Sequence, residues 1–266
     1  MNQFNLNSIS PIDGRYFNKT EVLSDYFSEK ALIYYRLRVE IEYFISLCNL
    51  GIPQLKDFDH NKFDELRKIY ISFSNEDAIE IKRIEKITNH DVKAVEYFIK
   101  DRFQALNIGE FKEFIHFGLT SQDINNSAIP LSIKDFIDNV YIPKIQEVLS
   151  AIDNKCEELK DITIIARTHG QPASPTKLGK EFKVFWTRVN EQIRSLKNIP
   201  NSAKFSGAVG NFNAHKVAYP EIDWKKFGQN FIENELGLNY SFPTTQIEHY
   251  DSFAALCDNC RRINNI

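Results

Sequence analysis

No apolar run in this 266-residue chain approaches the roughly 20 residues that a membrane-spanning helix needs. An excess of basic charge is also missing. Lysine and arginine number 33 against 36 acids, a formal net charge of -3, so there is no general pull toward nucleic acid, and no RNA- or DNA-binding motif appears. The N-terminus Met1-Asn2-Gln3-Phe4 has no basic, apolar signal pattern, and a cytoplasmic location is the expectation. Cysteine is scarce: Cys48, Cys156, Cys257 and Cys260. Only Cys257-x-x-Cys260 has a suggestive spacing, yet zinc would need further ligands at matching spacing and a redox pair normally opens a helix after a strand. The pair falls inside the apolar helical pattern Phe253, Leu256, Cys260, Ile263, so both cysteines are expected as buried helix residues, with no metal or cofactor. The loop Ser206–His215 is rich in small residues, but it lacks the lysine of a P-loop and is not GxGxxG.

With 42% hydrophobic and 26% charged residues, the composition is that of an ordinary globular protein, one large domain or two modest ones. Helical spacing dominates. Leu32, Tyr35, Val39, Tyr43 and Leu47 mark a helix over about 21–50, ending at Gly51-Ile52-Pro53. A shorter helix is expected over 58–72. Ser74 with Glu76 and Asp77 caps a third running toward Thr88. Polar Thr88-Asn89-His90-Asp91 then interrupts the pattern before Val92, Val95, Phe98, Ile99 and Phe103 resume it. This puts Asn89, His90 and Asp91 at a helix N-terminus, where backbone N–H groups favour an anion. Asp91 is the natural cap there, and capping leaves His90 unexplained.

Thr120, with Asp123 three residues on, resembles a capping box one carbon short, and it offers the Thr120 and Ser121 hydroxyls at another helix start. Just ahead lies His116 in an apolar setting, which on its own reads as a core histidine. Apolar spacing continues over about 121–160, where Pro130 and Pro143 should kink or break the helix. Leu178, Phe182, Phe185, Val189, Ile193 and Leu196 form a second long stripe. Between these helices the apolar run Ile162–Ala166 leads into Arg167-Thr168-His169-Gly170-Gln171-Pro172. A histidine between an extended run and a turn is held by backbone on both sides, and its ordinary pKa near 6.5 lets it give or take a proton at neutral pH. Near the N-terminus, Ser10-Pro11-Ile12-Asp13-Gly14 forces a bend that presents Arg15 and Tyr16, a surface pair or a fork of donors for a phosphate or carboxylate. A further helix is expected over 220–236, and Pro243–Glu248 leads into a last helical pattern. One boundary stands out near 111, giving a small N-terminal helical domain, 1–111, and a long-helix bundle, 112–266.

Taken in order, several stretches resemble one family. They are Ser10–Tyr16, Glu85 through Thr88-Asn-His-Asp-Val-Lys-Ala94, His116–Asp123, Arg167–Ala173, Gly207–His215 and Thr244–Glu248. Together they are similar to the adenylosuccinate lyase family of the fumarase/aspartase superfamily, and the resemblance runs over essentially the whole chain. It implies an all-α fold, homotetrameric with sites drawn from several chains, and elimination of fumarate from a succinylated purine nucleotide without a cofactor. It also implies His169 as the acid that protonates the departing nitrogen, with His90 supporting catalysis. Arg15, Tyr16, Asn89, Asp91, His116, Thr120, Ser121 and Gln246 would bind substrate, with His116 near its phosphate. The family's mobile serine-bearing loop, which supplies the base, has no match here, so an N-terminal portion with an incomplete bundle, inactive alone, is expected. Relatives tend to have Pro-His after the glutamate matching Glu248, where this chain has His249-Tyr250. Alternatives are another fumarate-releasing lyase of the superfamily and a non-catalytic helical scaffold.

Overall fold

The computed structural model describes residues 7–266. The chain divides into two compact units: one runs to Lys134 and takes in Ser202–His249, and the other comprises Asp135–Asn201 with Tyr250–Ile266.

The first unit is built around helix α1, Glu29–Leu50, whose start is capped by Ser28 accepting the Ala31 N–H. The sequence suggested one apolar stripe. The helix is instead buried on nearly every face: Ile33, Tyr35, Leu37, Val39, Ile41, Phe44 and Leu47 among its apolar residues, and Arg36, Glu40 and Glu42 among its charged ones. Around it lie α2 (Phe63–Ile71), α3 (Asn75–Thr88), α4 (Asp91–Ala105) and the start of α5 (Ser121–Phe136). The expected cap of α3 is a full capping box: Ser74 Oγ accepts the Asp77 N–H and Asp77 accepts the Ser74 N–H. Asn89, in the left-handed region at φ 51°, closes that helix.

Pro130 sits inside α5 without ending it. Near Pro143 the break takes the form of a π turn over Ile137–Tyr141, in which the Ile142 N–H reaches back five residues to the Ile137 carbonyl. Proline has no N–H to continue the α register, and one wide turn absorbs the defect.

After the turn come α6 (Ile142–Glu158), strands β1 (Thr163–Thr168) and β2 (Gln171–Lys177), and α7 (Leu178–Lys197). The strands pair antiparallel, with Thr168 opposite Gln171 and an irregularity between Ile165 and Arg167. The helices of this second unit share a small core of Leu149, Val189, Ile193 and Ile263. The chain then adds β3 (Ser202–Ala203), α8 (Asn213–Ala218), α9 (Trp224–Asn230), β4 (Asn239–Tyr240, parallel to β3) and α10 (Asp251–Asn264). On α10 the inward positions are Leu256, Asn259 and Ile263. Cys257 is therefore exposed and Cys260 half-buried, both free thiols, which corrects the expectation that both are buried. The buried face passes through 256, and its immediate neighbour on a helix points about 100° away.

Candidate active site

Helix α1 carries charge into an apolar core, and each buried charge fixes another segment. The Arg36 guanidinium donates to Asp91 Oδ2 at 2.6 Å and to Asn125 Oδ1 at 2.9 Å. The starts of α4 and α5 are thereby held together. Glu42 accepts Arg67 at 2.9 and 3.0 Å and the Tyr70 hydroxyl at 2.7 Å. Glu40 meets His116 Nδ1 at 2.6 Å.

At the head of α4 the capping residue is His90, not Asp91. His90 Nδ1 accepts the Lys93 N–H at 3.1 Å, and Asp91 is the first helical residue, taking the Val92 N–H at 2.8 Å. Side chains thus already occupy part of the anion seat expected at this N-terminus. An accepting Nδ1 places the ring proton on Nε2, and Nε2 lies 3.3 Å from Ser121 Oγ, 31 positions along the chain. In that tautomer His90 presents its Nε2–H to Ser121. Asp91 is held below the usual carboxylate range: burial works against this, but the Arg36 charge and the Val92 N–H outweigh it.

Asp123 does more than cap α5. Its Oδ2 accepts the Thr120 N–H at 2.9 Å. Its Oδ1 accepts the Lys204 ammonium at 2.7 Å and the N–H groups of Ser206 and Gly207 at 2.9 and 3.1 Å. Both side chains are fully buried. Burial pulls the Lys204 ammonium below its ordinary range, and the charge of Asp123 offsets this in part. Ser206 Oγ in turn meets Thr244 Oγ1 at 3.1 Å, and Asn126 Oδ1 accepts the Glu248 N–H at 3.0 Å. Residues 120–123, 204–207 and 244–248 are thus tied to one helix.

His215 lies behind this arrangement, fully buried. The Tyr43 hydroxyl donates to the Phe117 carbonyl at 2.7 Å, so His215 Nε2, 3.0 Å from the Tyr43 hydroxyl oxygen, donates the ring proton to it. Gly118, at φ +67°, rests on the ring, and a Cβ there would come within 2.7 Å of it. Burial pushes the His215 pKa down to about 4, against the opposing charge of Asp123 and the hydrogen bond to Phe117. In the unfolded chain a histidine titrates near 6.5. Between the two values the unfolded state takes up a proton that the folded state refuses, so stability is complete above about pH 6.5 and falls toward pH 4, by roughly 3 kcal/mol. Urea unfolding at pH 7 and pH 4.5 should show this loss, and His215→Gln should flatten it. Equal pH slopes in both proteins would refute the assignment.

Of the residues singled out in the sequence, Asn89, His90, Asp91, His116, Thr120 and Ser121 lie on segments joined by these contacts. Gln246 is exposed on a bend between buried Thr244 and Glu248, each pinned as described. Arg15 and Tyr16 leave the Ser10–Gly14 turn exposed, the guanidinium 5.7 Å from the tyrosine ring centre. His169 belongs to the second unit. It is exposed at the β1–β2 turn, with φ 50° at His169 and 75° at Gly170. Arg36, Glu40 and Lys204 were not anticipated. Arg36 and Glu40 carried a readable signal, because charges one turn apart inside an otherwise apolar helix must find partners when buried. Among the described residues, no group of three or more His, Cys, Asp or Glu is placed to hold a metal ion.

These mostly helical units have the fold of fumarate lyases. A fumarate lyase from Mesorhizobium sp. BNC1 superposes with a TM-score of 0.73 at 19% identity, over 92% of this chain and 54% of that one. The 3-carboxy-cis,cis-muconate lactonizing enzyme of Pseudomonas putida does so with a TM-score of 0.68 at 15% identity, over 94% and 55%. The model of the Lyase family matches residues 14–266, and the chain belongs to that family. Within it the chain is similar to adenylosuccinate lyases: 53% identical to that of Dictyostelium discoideum, 48% to that of Legionella pneumophila strain Corby and 41% to that of Escherichia coli K12. Each match covers 98% of this chain and 58% of the relative, so the chain spans less than two thirds of their length.

Proposed function

We propose that these residues serve a lyase that eliminates fumarate from adenylosuccinate, leaving AMP, and from the equivalent succinylated carboxamide ribotide of purine synthesis. The observation that carries this reading is the contact between His90 Nε2 and Ser121 Oγ at 3.3 Å, which joins two helix starts beside the Arg36–Asp91 pair. The 41–53% identity to adenylosuccinate lyases supports it.

In the proposed reaction a base removes the proton beside a carboxylate, and charge builds on that group as an aci-anion. The carbon–nitrogen bond then breaks, and His169 as general acid supplies the proton to the departing nitrogen. An exposed imidazole on a tight turn suits a group that must meet substrate. His90 would support this catalysis, and Asn89, Asp91, His116, Thr120, Ser121, Gln246, Arg15 and Tyr16 would bind a substrate of ~4 negative charges, to which the phosphate alone contributes nearly two. The base would be the serine of the family's mobile loop. No stretch of residues 1–266 matches that loop, so we expect these residues alone to release no fumarate and the polypeptide that also bears the loop to do so.

A homotetramer in the cytoplasm completes the proposal. Exposed Val148, Phe182, Val184, Phe185 and Phe253 on the second unit are suited to a subunit interface. No helix among the described residues is long and apolar enough to cross a membrane. Two measurements test the substrate. AMP with fumarate should raise the melting temperature by on the order of 5 °C at saturation, whereas a scaffold would not respond. Turnover by the loop-bearing polypeptide should be seen with adenylosuccinate and not with argininosuccinate or aspartate; the reverse preference would overturn the assignment.

A further inference from the structure

We propose that Glu40 is a positioning residue whose buried carboxylate keeps His116 in its cationic form and turned so that Nε2 faces a nucleotide phosphate. This rests on the substrate reading above and adds the group that makes His116 an anion holder.

Glu40 is 1% exposed on α1, and its Oε1 lies 2.6 Å from His116 Nδ1. Its Oε2 has no hydrogen-bond partner among the described residues. Arg36, one turn earlier on the same helix, is committed to Asp91 and Asn125. The Glu40 charge therefore leans on His116, and a buried carboxylate without compensation is costly.

His116 sits at φ 60°, a conformation rare for a residue with a side chain and often found where a group must be aimed. With Nδ1 engaged inward, Nε2 is the nitrogen left for a ligand, on a side chain 15% exposed. The charged groups acting on it are Glu40 from α1 and Glu96 and Lys93 from α4. Glu96 is itself neutralised by Lys93 at 2.6 Å and Lys100 at 3.0 Å, which leaves Glu40 as the decisive neighbour. Burial alone would strip the proton from His116, yet the charge and hydrogen bond of Glu40 reverse that and raise its pKa above the ordinary value. Only the imidazolium offers a phosphate a charged donor at Nε2; the neutral ring with its proton on Nδ1 turns a lone pair toward it.

The test follows His116 by the NMR signal of its ring Cε1–H through a pH titration of the full chain, wild type and Glu40→Gln, and measures AMP affinity at pH 5.5 and 8. Glu40→Gln should lower the His116 titration and weaken AMP about tenfold at pH 8, and the loss should shrink at pH 5.5, where a larger share of the variant's imidazole is protonated. Adenosine and fumarate, which carry no phosphate, should bind equally to both proteins. An unmoved titration, or a loss of AMP affinity that is the same at both pH values, would overturn the role of Glu40. If wild-type chain binds AMP at neither pH, the substrate reading fails and the anion-holding role with it, even where the titration still responds to Glu40.

Discussion

Asp123→Asn should lower the stability of the first unit by about 3–5 kcal/mol, more than Lys204→Met does. The two changes differ in what they leave behind. Without Lys204, the carboxylate keeps the N–H donors of Thr120, Ser206 and Gly207, and several backbone donors suffice to hold a buried carboxylate ionised. Without the charge at 123, the Lys204 ammonium has the Gly207 carbonyl and no counter-charge in a fully buried site. The new amide also turns either its N–H groups toward the Thr120 N–H or toward the donors on Oδ1. Lysine can relieve this by losing its proton, and its pKa is already lowered by burial. The folded Lys204 then binds fewer protons than the unfolded residue, so the deficit of Asp123→Asn should shrink as pH rises toward the unfolded lysine value near 10.4. Urea midpoints at constant slope, at pH 7 and 9.5, measure both effects. A cost below about 1 kcal/mol for Asp123→Asn, or a larger cost for Lys204→Met than for Asp123→Asn, would show that the Asp123 carboxylate does not hold these loops.

His169→Asn should separate folding from chemistry. The side chain is exposed at a turn with φ 50°, and asparagine is among the residues that tolerate the left-handed region. Stability should therefore change little. Turnover of adenylosuccinate by the loop-bearing polypeptide should fall about 10²–10⁴-fold, the usual contribution of a general acid. Alanine would be the poorer choice, since strain at the turn would mix with loss of the imidazole. A succinylated substrate whose amine leaves readily should lose much less, because it needs less protonation. Equal losses on both substrates, or none, would remove His169 from the proton-transfer step.

Much of this arrangement could be read locally. The Ser74–Asp77 cap, the close of α1 at Gly51 and the turn at His169 depend on residues within a few positions of one another, and local hydrogen bonds and turn chemistry govern them. Where local signals competed, the sequence was ambiguous. Asp91 is the better cap by residue preference, yet Arg36, 55 positions away, claims its carboxylate and His90 takes the cap. Likewise an apolar stripe on α1 did not reveal a helix buried all round, because burial depends on what surrounds every face.

The sequence by itself determined where most helices begin and end, that the chain is predominantly helical, and which polar stretches break it. Only the tertiary structure decided which charges meet: Glu40 with His116 across 76 positions and Asp123 with Lys204 across 81. A helix forms through bonds to its own fourth neighbour, whereas a charge removed from water accepts whichever opposite partner the packing brings within about 3 Å.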